Sequence, residues 1–308
     1  MEPALSADPT WKLSAHAPKD VIEAALLAHE RLADWDAELV IAGRELAEDR
    51  PGDWVLEAWY PRKPGPEVIA AITGLFAGGA PPLSLEELPP ADWVTLSQHT
   101  TPPIRAGRFH VHTPDFPPDP GLIDLVIPAA QAFGTGHHHT TAGCLEMLGH
   151  IRASGLIARR IADIGTGTGL LAFAARALWP RAQLTLTDID PVCAGVVAAN
   201  AELNAVPLGP GPGAALMIVA DGMADPLLGL RAPFDLLIAN ILAGPLVEMA
   251  GDFGKAVRPG GSLLLAGLLA GAQEAAVSRA MRRAGFRPVA RLERGDWAIL
   301  WLRRRRAR

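Results

Sequence analysis

The sequence predicts an open α/β domain built on a mostly parallel sheet and preceded by a small α+β domain. Three observations carry that expectation. Between residues 159 and 191 an apolar run feeds into Gly165-Thr-Gly-Thr-Gly169, an Ala- and Leu-rich segment follows, and a second apolar run ends at Asp188. That is the pattern of strand, loop, helix and strand, with the two strands buried and parallel. Ahead of it, apolar periodicity gives strand, helix, strand, strand, helix, strand through residue 97, the split βαβ or ferredoxin-like order. Proline pairs at Pro81-Pro82, Pro89-Pro90 and Pro102-Pro103 separate the two patterns. The expected limits are therefore 1–84 for the front domain, 85–103 for a stiff linker and 104–308 for the large domain.

Taken in order, residues 11–17 alternate as a half-buried strand does, and residues 18–32 read as an amphipathic helix. The next strands are 37–42 and 54–60, with Asp49-Arg-Pro-Gly-Asp53 supplying turn residues between them. A helix over 66–76 has Pro66 near its start, and 93–97 is the closing strand. His16, His29 and His99 stand alone and read as surface or packing residues. Residues 108–112 alternate as a strand, which Thr113-Pro-Asp-Phe-Pro-Pro-Asp-Pro-Gly121 breaks.

Behind the loop at 132–141 a helix puts Cys144, Leu145, Leu148 and Ile151 on its apolar side. After Asp188, Asp190 is a cap and Pro191 suits the first helical position, with Val192, Val196 and Leu203 forming the face expected to cover the sheet. The third and fourth strands of the large sheet are 215–220 and 234–239. A helix over 247–257 leads through Arg258-Pro-Gly-Gly261 to a strand at 262–266 and a helix ending at Arg283. Strands at 286–292 and 297–302, turned at Gly295-Asp296, close a parallel sheet with an antiparallel pair.

Composition narrows the classes. Of the 308 residues 49% are hydrophobic, enough for two cores, and the two cysteines, Cys144 and Cys193, spell neither a disulfide framework nor a zinc ligand set. The start has no basic segment backed by an apolar core, and no apolar run is long enough to span a bilayer, so a soluble cytoplasmic protein without a membrane partner is expected. The net charge of −5 is uneven, since residues 1–100 hold 17 Asp and Glu against 7 Lys and Arg while the remainder holds 16 against 21. An acidic front suits a basic protein partner or a merely solvated surface. The basic end, Arg303-Arg-Arg-Arg-Ala-Arg308, reads as a solvated tail able to touch RNA, and no sequence-specific nucleic acid binding is expected. His137, His138 and His139 are adjacent, so they cannot all face one ion from a regular element, and no metal is expected there.

The residues that point to chemistry lie at loop positions. Gly165, Gly167 and Gly169 let backbone approach a ligand while the next helix offers free N–H groups. Leu170 stands where a dinucleotide fingerprint needs Gly or Ala, so the ligand is not read as a dinucleotide. Asp188, at a strand end, suits the two hydroxyls of an unphosphorylated ribose. Asp221-Gly222 ends the third strand and serves equally as a contact to a base or as a turn. Asn240 ends the fourth strand, where open α/β sheets bind ligands, and offers an uncharged acceptor to an amine N–H. The second glycine loop reads as a lid whose Thr140 and Thr141 hydroxyls reach the ligand.

Gly-x-Gly-x-Gly followed by such an acid resembles the nucleoside site of class I, Rossmann-like S-adenosylmethionine-dependent methyltransferases. Together with Phe133-Gly-Thr-Gly-His-His-His-Thr-Thr141, Asp163-Ile-Gly-Thr-Gly-Thr-Gly169, Asp188-Ile-Asp-Pro191 and Asn240-Ile-Leu-Ala-Gly-Pro-Leu246, nearly the whole chain resembles the PrmA family. Members methylate protein eleven of the large ribosomal subunit, on Lys ε-amines and on the N-terminal α-amine. Phe116 stands near where members often carry Trp. The resemblance implies S-adenosyl-L-methionine bound through Thr141, Gly165, Asp188 and Asn240, and, within the same motifs, Phe133, Thr140, Asp163, Thr166, Gly167, Ile189 and Asp221. It also implies a front domain that holds the ribosomal protein, and a monomer is expected. A Lys ammonium, with a pKa of about 10.4, must lose a proton before it can attack. The amine would then be oriented by the Asn240 side chain and the backbone carbonyl of Ile241 or Leu242. Alternatives are a methyltransferase of another protein amine or of a nucleobase amine, a dinucleotide oxidoreductase, and a ribosome-binding module without activity. A nucleobase enzyme usually has Asn-Pro-Pro, whereas Ile-Leu-Ala follows Asn240 here.

Overall fold

In the computed structural model the described residues are 10–29, 35–36, 38–46, 52–88, 103–128 and 137–306. The chain divides into two compact units, one ending at Leu96 and the other beginning at Ser97.

The front unit runs β1 (Thr10–Pro18), α1 (Lys19–His29), β2 (Val40–Glu45), β3 (Asp53–Tyr60), α2 (Pro66–Gly74), β4 (Leu83–Leu88). Its antiparallel sheet has the order β2-β3-β1-β4, the ferredoxin-like arrangement. Alternate residues of the two central strands, Leu13 and Ala15, then Leu56, Ala58 and Tyr60, meet Ile22 and Ala25 of α1 and Val68 and Ile72 of α2. Two expectations change here. The fourth strand is Leu83–Leu88, paired along β1 from Thr10↔Leu88 to Ala15↔Leu83, so a linker cannot begin at residue 85. The flanking proline pairs signalled a connection, but β4 is an edge strand, and proline is tolerated at the ends of edge strands. The strand expected at 93–97 and His99 lie outside the described residues. β2 also sits three residues later than expected.

The large unit opens with a small sheet of β5 (Ile104–Ala106), β6 (Phe109–His112) and β7 (Ile123–Val126), in which β6 and β7 are parallel. After it come α3 (His137–Ala153), β8 (Arg160–Ile164), α4 (Leu170–Leu178), β9 (Gln183–Asp188), α5 (Val192–Leu203), β10 (Ala215–Val219), α6 (Pro226–Arg231) and β11 (Phe234–Asn240). The chain then runs α7 (Ala243–Glu248), α8 (Ala250–Ala256), β12 (Val257–Leu269), α9 (Ala272–Arg283), β13 (Phe286–Arg294) and β14 (Trp297–Arg304). Seven strands form one sheet, β10-β9-β8-β11-β12-β14-β13, parallel from β10 to β12 and antiparallel at β14 and β13.

Successive strand residues face opposite layers. Ile161, Leu184, Leu186, Leu236, Ile238 and Leu264 pack with Leu145, Leu148, Phe173 and Val197. Ala162, Ile164, Leu237, Ala239, Leu263 and Leu265 pack with Leu246, Phe253, Val277 and Met281. Burial of both faces explains why these strands read as continuous apolar runs.

Four details differ from expectation. On α5, Val192 and Leu203 are 58% and 48% exposed, and the inner face is Val197, Asn200 and Ala201. Two inward asparagines mislead the periodicity: Asn200 Nδ2 donates to Thr168 O at 3.0 Å, while Asn204 exchanges two bonds with Val126. The helix expected over 247–257 is two short helices, α7 and α8. Arg258-Pro-Gly-Gly261, expected to precede the strand at 262–266, lies within β12, with Gly260 at φ 80° and irregular pairing against the start of β11. The basic end is held by hydrogen bonds through Arg305, as Arg304 Nη1 donates to Ala284 O at 2.6 Å and Arg305 N to Gly285 O at 2.9 Å. Among the described residues no helix is long and apolar enough to cross a membrane.

Candidate active site

β8 lies centrally in the sheet, and the crossovers that leave it and its neighbour β11 diverge, so their carboxyl ends border the crevice where open α/β sheets take ligands. The bend after β8 is left-handed at all three glycines, with φ of 68°, 54° and 84° at Gly165, Gly167 and Gly169. Two of them are also packed shut. A Cβ on Gly165 would lie 2.3 Å from Ile241 Cγ2 and one on Gly169 2.7 Å from Phe173 Cζ, whereas a Cβ on Gly167 would meet nothing within 4 Å. Gly167 therefore forms the open floor of the bend, where a ligand can lie directly on backbone.

Asp188, at the end of β9, fixes that floor. Its Oδ2 accepts from Gly167 N at 2.8 Å and its Oδ1 from Asp190 N at 3.1 Å. Each oxygen retains a lone pair for a further donor. Asp190 Oδ1 accepts from Val192 N at 2.9 Å in the turn entering α5, where Pro191 rather than Asp190 stands at the cap position. The cleft is lined by Thr141, Asp163, Gly165, Thr166, Gly167, Thr168, Leu170, Leu171 and Asn240. Six of the expected site residues thus meet in one place, and Asp188 is bonded to its floor. Thr168, Leu170 and Leu171 were not anticipated as lining residues; being the start of α4, they could have been found from the helix-terminus argument.

The remaining expected residues stand elsewhere. Thr140 is buried in the first turn of α3 without lining the cleft, and both threonines belong to a helix rather than to a lid, the helix running unbroken from His137 through Gly143 and Gly149 to Ala153. Ile189 and Leu242 are 67% and 71% exposed, and Asp221 is exposed just after β10. Phe133 lies outside the described residues. Leu242 O accepts from Leu246 N at 3.3 Å, and a Cβ on Gly267 would lie 2.4 Å from Ile241 O, so both carbonyls are held in place by backbone.

Two polar groups of the cleft are electrostatically unusual. Asn240 Oδ1 is buried and has no hydrogen-bond partner among the described residues, a state that costs about 1–3 kcal/mol unless a ligand supplies a donor. Asp163 is fully buried, and burial pushes its carboxyl up to about 7 despite hydrogen bonds from Thr166 Oγ1, at 2.7 Å, and from Ala172 N. Its folded pKa exceeds its unfolded one, so its contribution to stability is complete below about pH 4 and is lost as pH rises through about 7. The ligand-free protein is expected to lose up to about 4 kcal/mol across that window from this group. Asp163→Asn should remove the loss, and urea unfolding at pH 5 and pH 8 checks it; an unchanged difference in the variant would refute the assignment.

A third cluster escaped the sequence. His110 and His112, two apart on β6, share one face, and Asp124 is the register partner of His110 on parallel β7. His110 Nδ1 lies 2.8 Å from Asp124 Oδ1, and His112 Nε2 lies 2.7 Å from Asp124 Oδ2. His-x-His on a strand was the available signal, but its partner strand was not recognised.

A glycine bend on the first parallel strand, a carboxylate closing the second and an amide ending the fourth, in a sheet that finishes antiparallel, define a class I methyltransferase. The family model described as "Ribosomal protein L11 methyltransferase (PrmA)" matches residues 40–305. A ribosomal protein L11 methyltransferase of Mesorhizobium japonicum is 38% identical over 284 residues, covering 90% of this chain and 94% of that protein. One from Agrobacterium fabrum is 36% identical, covering 87% and 90%. The crystal structure of a ribosomal protein L11 methylase from Lactobacillus delbrueckii subsp. bulgaricus matches with a TM-score of 0.55 at 26% identity, covering 67% of this chain and 98% of that one. The chain belongs to the ribosomal protein L11 methyltransferase (PrmA) family.

Proposed function

We propose that this enzyme transfers methyl groups from S-adenosylmethionine to Lys ε-amines and the N-terminal α-amine of ribosomal protein L11. The observation that carries the reading is Asn240 Oδ1, a buried acceptor without a partner among the described residues, in the same cleft as the glycine bend. The residues fit the methyl donor. Gly167 leaves open space above the bend, Asp188 has lone pairs for ribose hydroxyls, and the carboxyl of Asp163 lies beside the cleft to balance positive charge. Thr141, Gly165, Thr166 and Gly167 would hold the donor with Asp188 and Asn240; Phe133, Thr140, Ile189 and Asp221 are assigned to it on family pattern. When bound, it supplies an electrophilic sulfonium methyl.

The chain's own residues do the rest. The apolar cleft wall of Leu170 and Leu171 disfavours a charged ammonium, so the amine docks neutral. Asn240 Oδ1 accepts one of its N–H groups, the Ile241 or Leu242 carbonyl accepts another, and the lone pair is left facing the cleft. No general base is assigned, and water takes the proton. The front unit binds L11, and the acidic balance of residues 1–100 suits a surface of basic residues on that partner. The enzyme acts as a monomer in the cytoplasm, where ribosomal proteins are made.

Incubation with methyl-labelled S-adenosylmethionine and a mixture of purified ribosomal proteins and RNA tests the reading. Label should appear on L11, at lysines and the amino terminus by mass spectrometry. Label confined to RNA, or to other proteins, would overturn it.

A further inference from the structure

The side chains of His110 and His112 are each 3% exposed, their rings stack with centroids 4.8 Å apart, and both address one carboxylate, which also accepts from Asp119 N at 3.1 Å. With both rings neutral, the cluster is short of one positive charge. His112 Nδ1 lies 2.6 Å from Thr113 O, and a carbonyl only accepts, so the ring proton is on Nδ1. The neutral ring then turns a bare Nε2 lone pair on Asp124 Oδ2 at 2.7 Å, a repulsive contact unless positive charge lies between them. A proton could supply that charge for one ring. The neutral His110 ring then donates Nδ1–H to Asp124 Oδ1; a metal ion would supply the same charge with both rings and the carboxylate as its ligands.

We propose that His110 Nδ1, His112 Nε2 and Asp124 form a site for a divalent transition metal of the zinc class. The three ligand atoms lie within 4.8 Å of one another. Two imidazoles and a carboxylate are a ligand set for such ions, with metal–ligand distances of about 2.0–2.2 Å, so the nitrogen–oxygen separations widen by roughly half an ångström on entry. The Nδ1–H of His112 on a backbone carbonyl is the outer-shell bond that orients a ligating imidazole. A fourth position opens on the cleft that His110 lines with Arg105, Phe116, Pro117 and Asp119. The metal would clamp β6 to β7, the strand that leads toward the second glycine loop. This site stands apart from the methyl-transfer reading, and its test uses neither donor nor substrate.

Full-length protein stripped with a chelator is titrated with Zn²⁺ by calorimetry, and the loaded protein is examined by X-ray absorption. One equivalent per chain is expected, with nitrogen and oxygen ligands, no sulfur, and a higher unfolding temperature. Asp124→Asn and His112→Gln should each weaken binding at least tenfold. Simultaneous replacement of His137, His138 and His139 by Ala should leave it unchanged. No stoichiometric binding, sulfur in the coordination shell, or loss of binding in the triple variant alone would overturn the proposal. Should a ligand variant fail to fold, the absorption spectrum of the unaltered protein still decides.

Discussion

Asn240→Ala is expected to lower kcat/KM for L11 methylation about 100-fold or more, while affinity for S-adenosylmethionine falls less than tenfold. The asymmetry follows from where the side chain sits. Its buried oxygen lacks a partner among the described residues, so on the proposed reading the acceptor is available to the incoming amine, while donor binding would be spread over the bend, Asp188 and Thr141. Truncation removes the group that aims the lone pair and leaves the rest of the cleft intact. Asn240→Asp separates aim from charge. A carboxylate accepts the same N–H but stabilises the ammonium, raising the amine pKa by about 1–3 units, so the rate should recover as pH rises. Single-turnover rates across pH, together with calorimetry of donor binding, check both variants. Full turnover in Asn240→Ala with normal donor affinity would remove Asn240 from the reaction.

The place of Asn240 in the cleft was legible in the sequence because it depends on local position, an amide at the end of an apolar run. Gly165, Gly167, Gly169 and Asp188 were legible for the same reason, since a bend between two buried strands can be read from about thirty residues of sequence. Features that depend on distant pairing were not. β7 is four residues behind a proline-rich break, too short to show alternation, and without it nothing placed Asp124 beside His110. The inner face of α5 was misassigned because Asn200 and Asn204 satisfy backbone groups of Thr168 and Val126 that lie 32 and 78 residues away in the chain. β4 was hidden by the same prolines that suggested a linker, because an edge strand and a stiff connection make similar demands on composition.

Asp188→Ala is expected to weaken S-adenosylmethionine binding by about 100-fold to 10,000-fold, through two losses that reinforce each other. The first is direct: two ribose hydroxyls lose a charged acceptor, at about 1.5–3 kcal/mol for each hydrogen bond. The second is internal to the protein. Gly167 N and Asp190 N both donate to this carboxylate, so its removal frees the floor of the bend and the start of α5 together. Asp188→Asn distinguishes the two. An amide keeps one accepting oxygen but must present N–H₂ to either Gly167 N or Asp190 N, so it should fall between wild type and Ala in affinity. Gly165→Ala attacks the same bend without touching the carboxylate: its φ of 68° is strained for alanine, and the new Cβ would lie 2.3 Å from Ile241 Cγ2. If the ribose contact dominates, Asp188→Ala should lose more affinity than Gly165→Ala, and adenosine should show the same ranking as the full donor. Calorimetry with both ligands makes the comparison, and donor affinity in Asp188→Ala within threefold of wild type would refute the nucleoside role of this carboxylate.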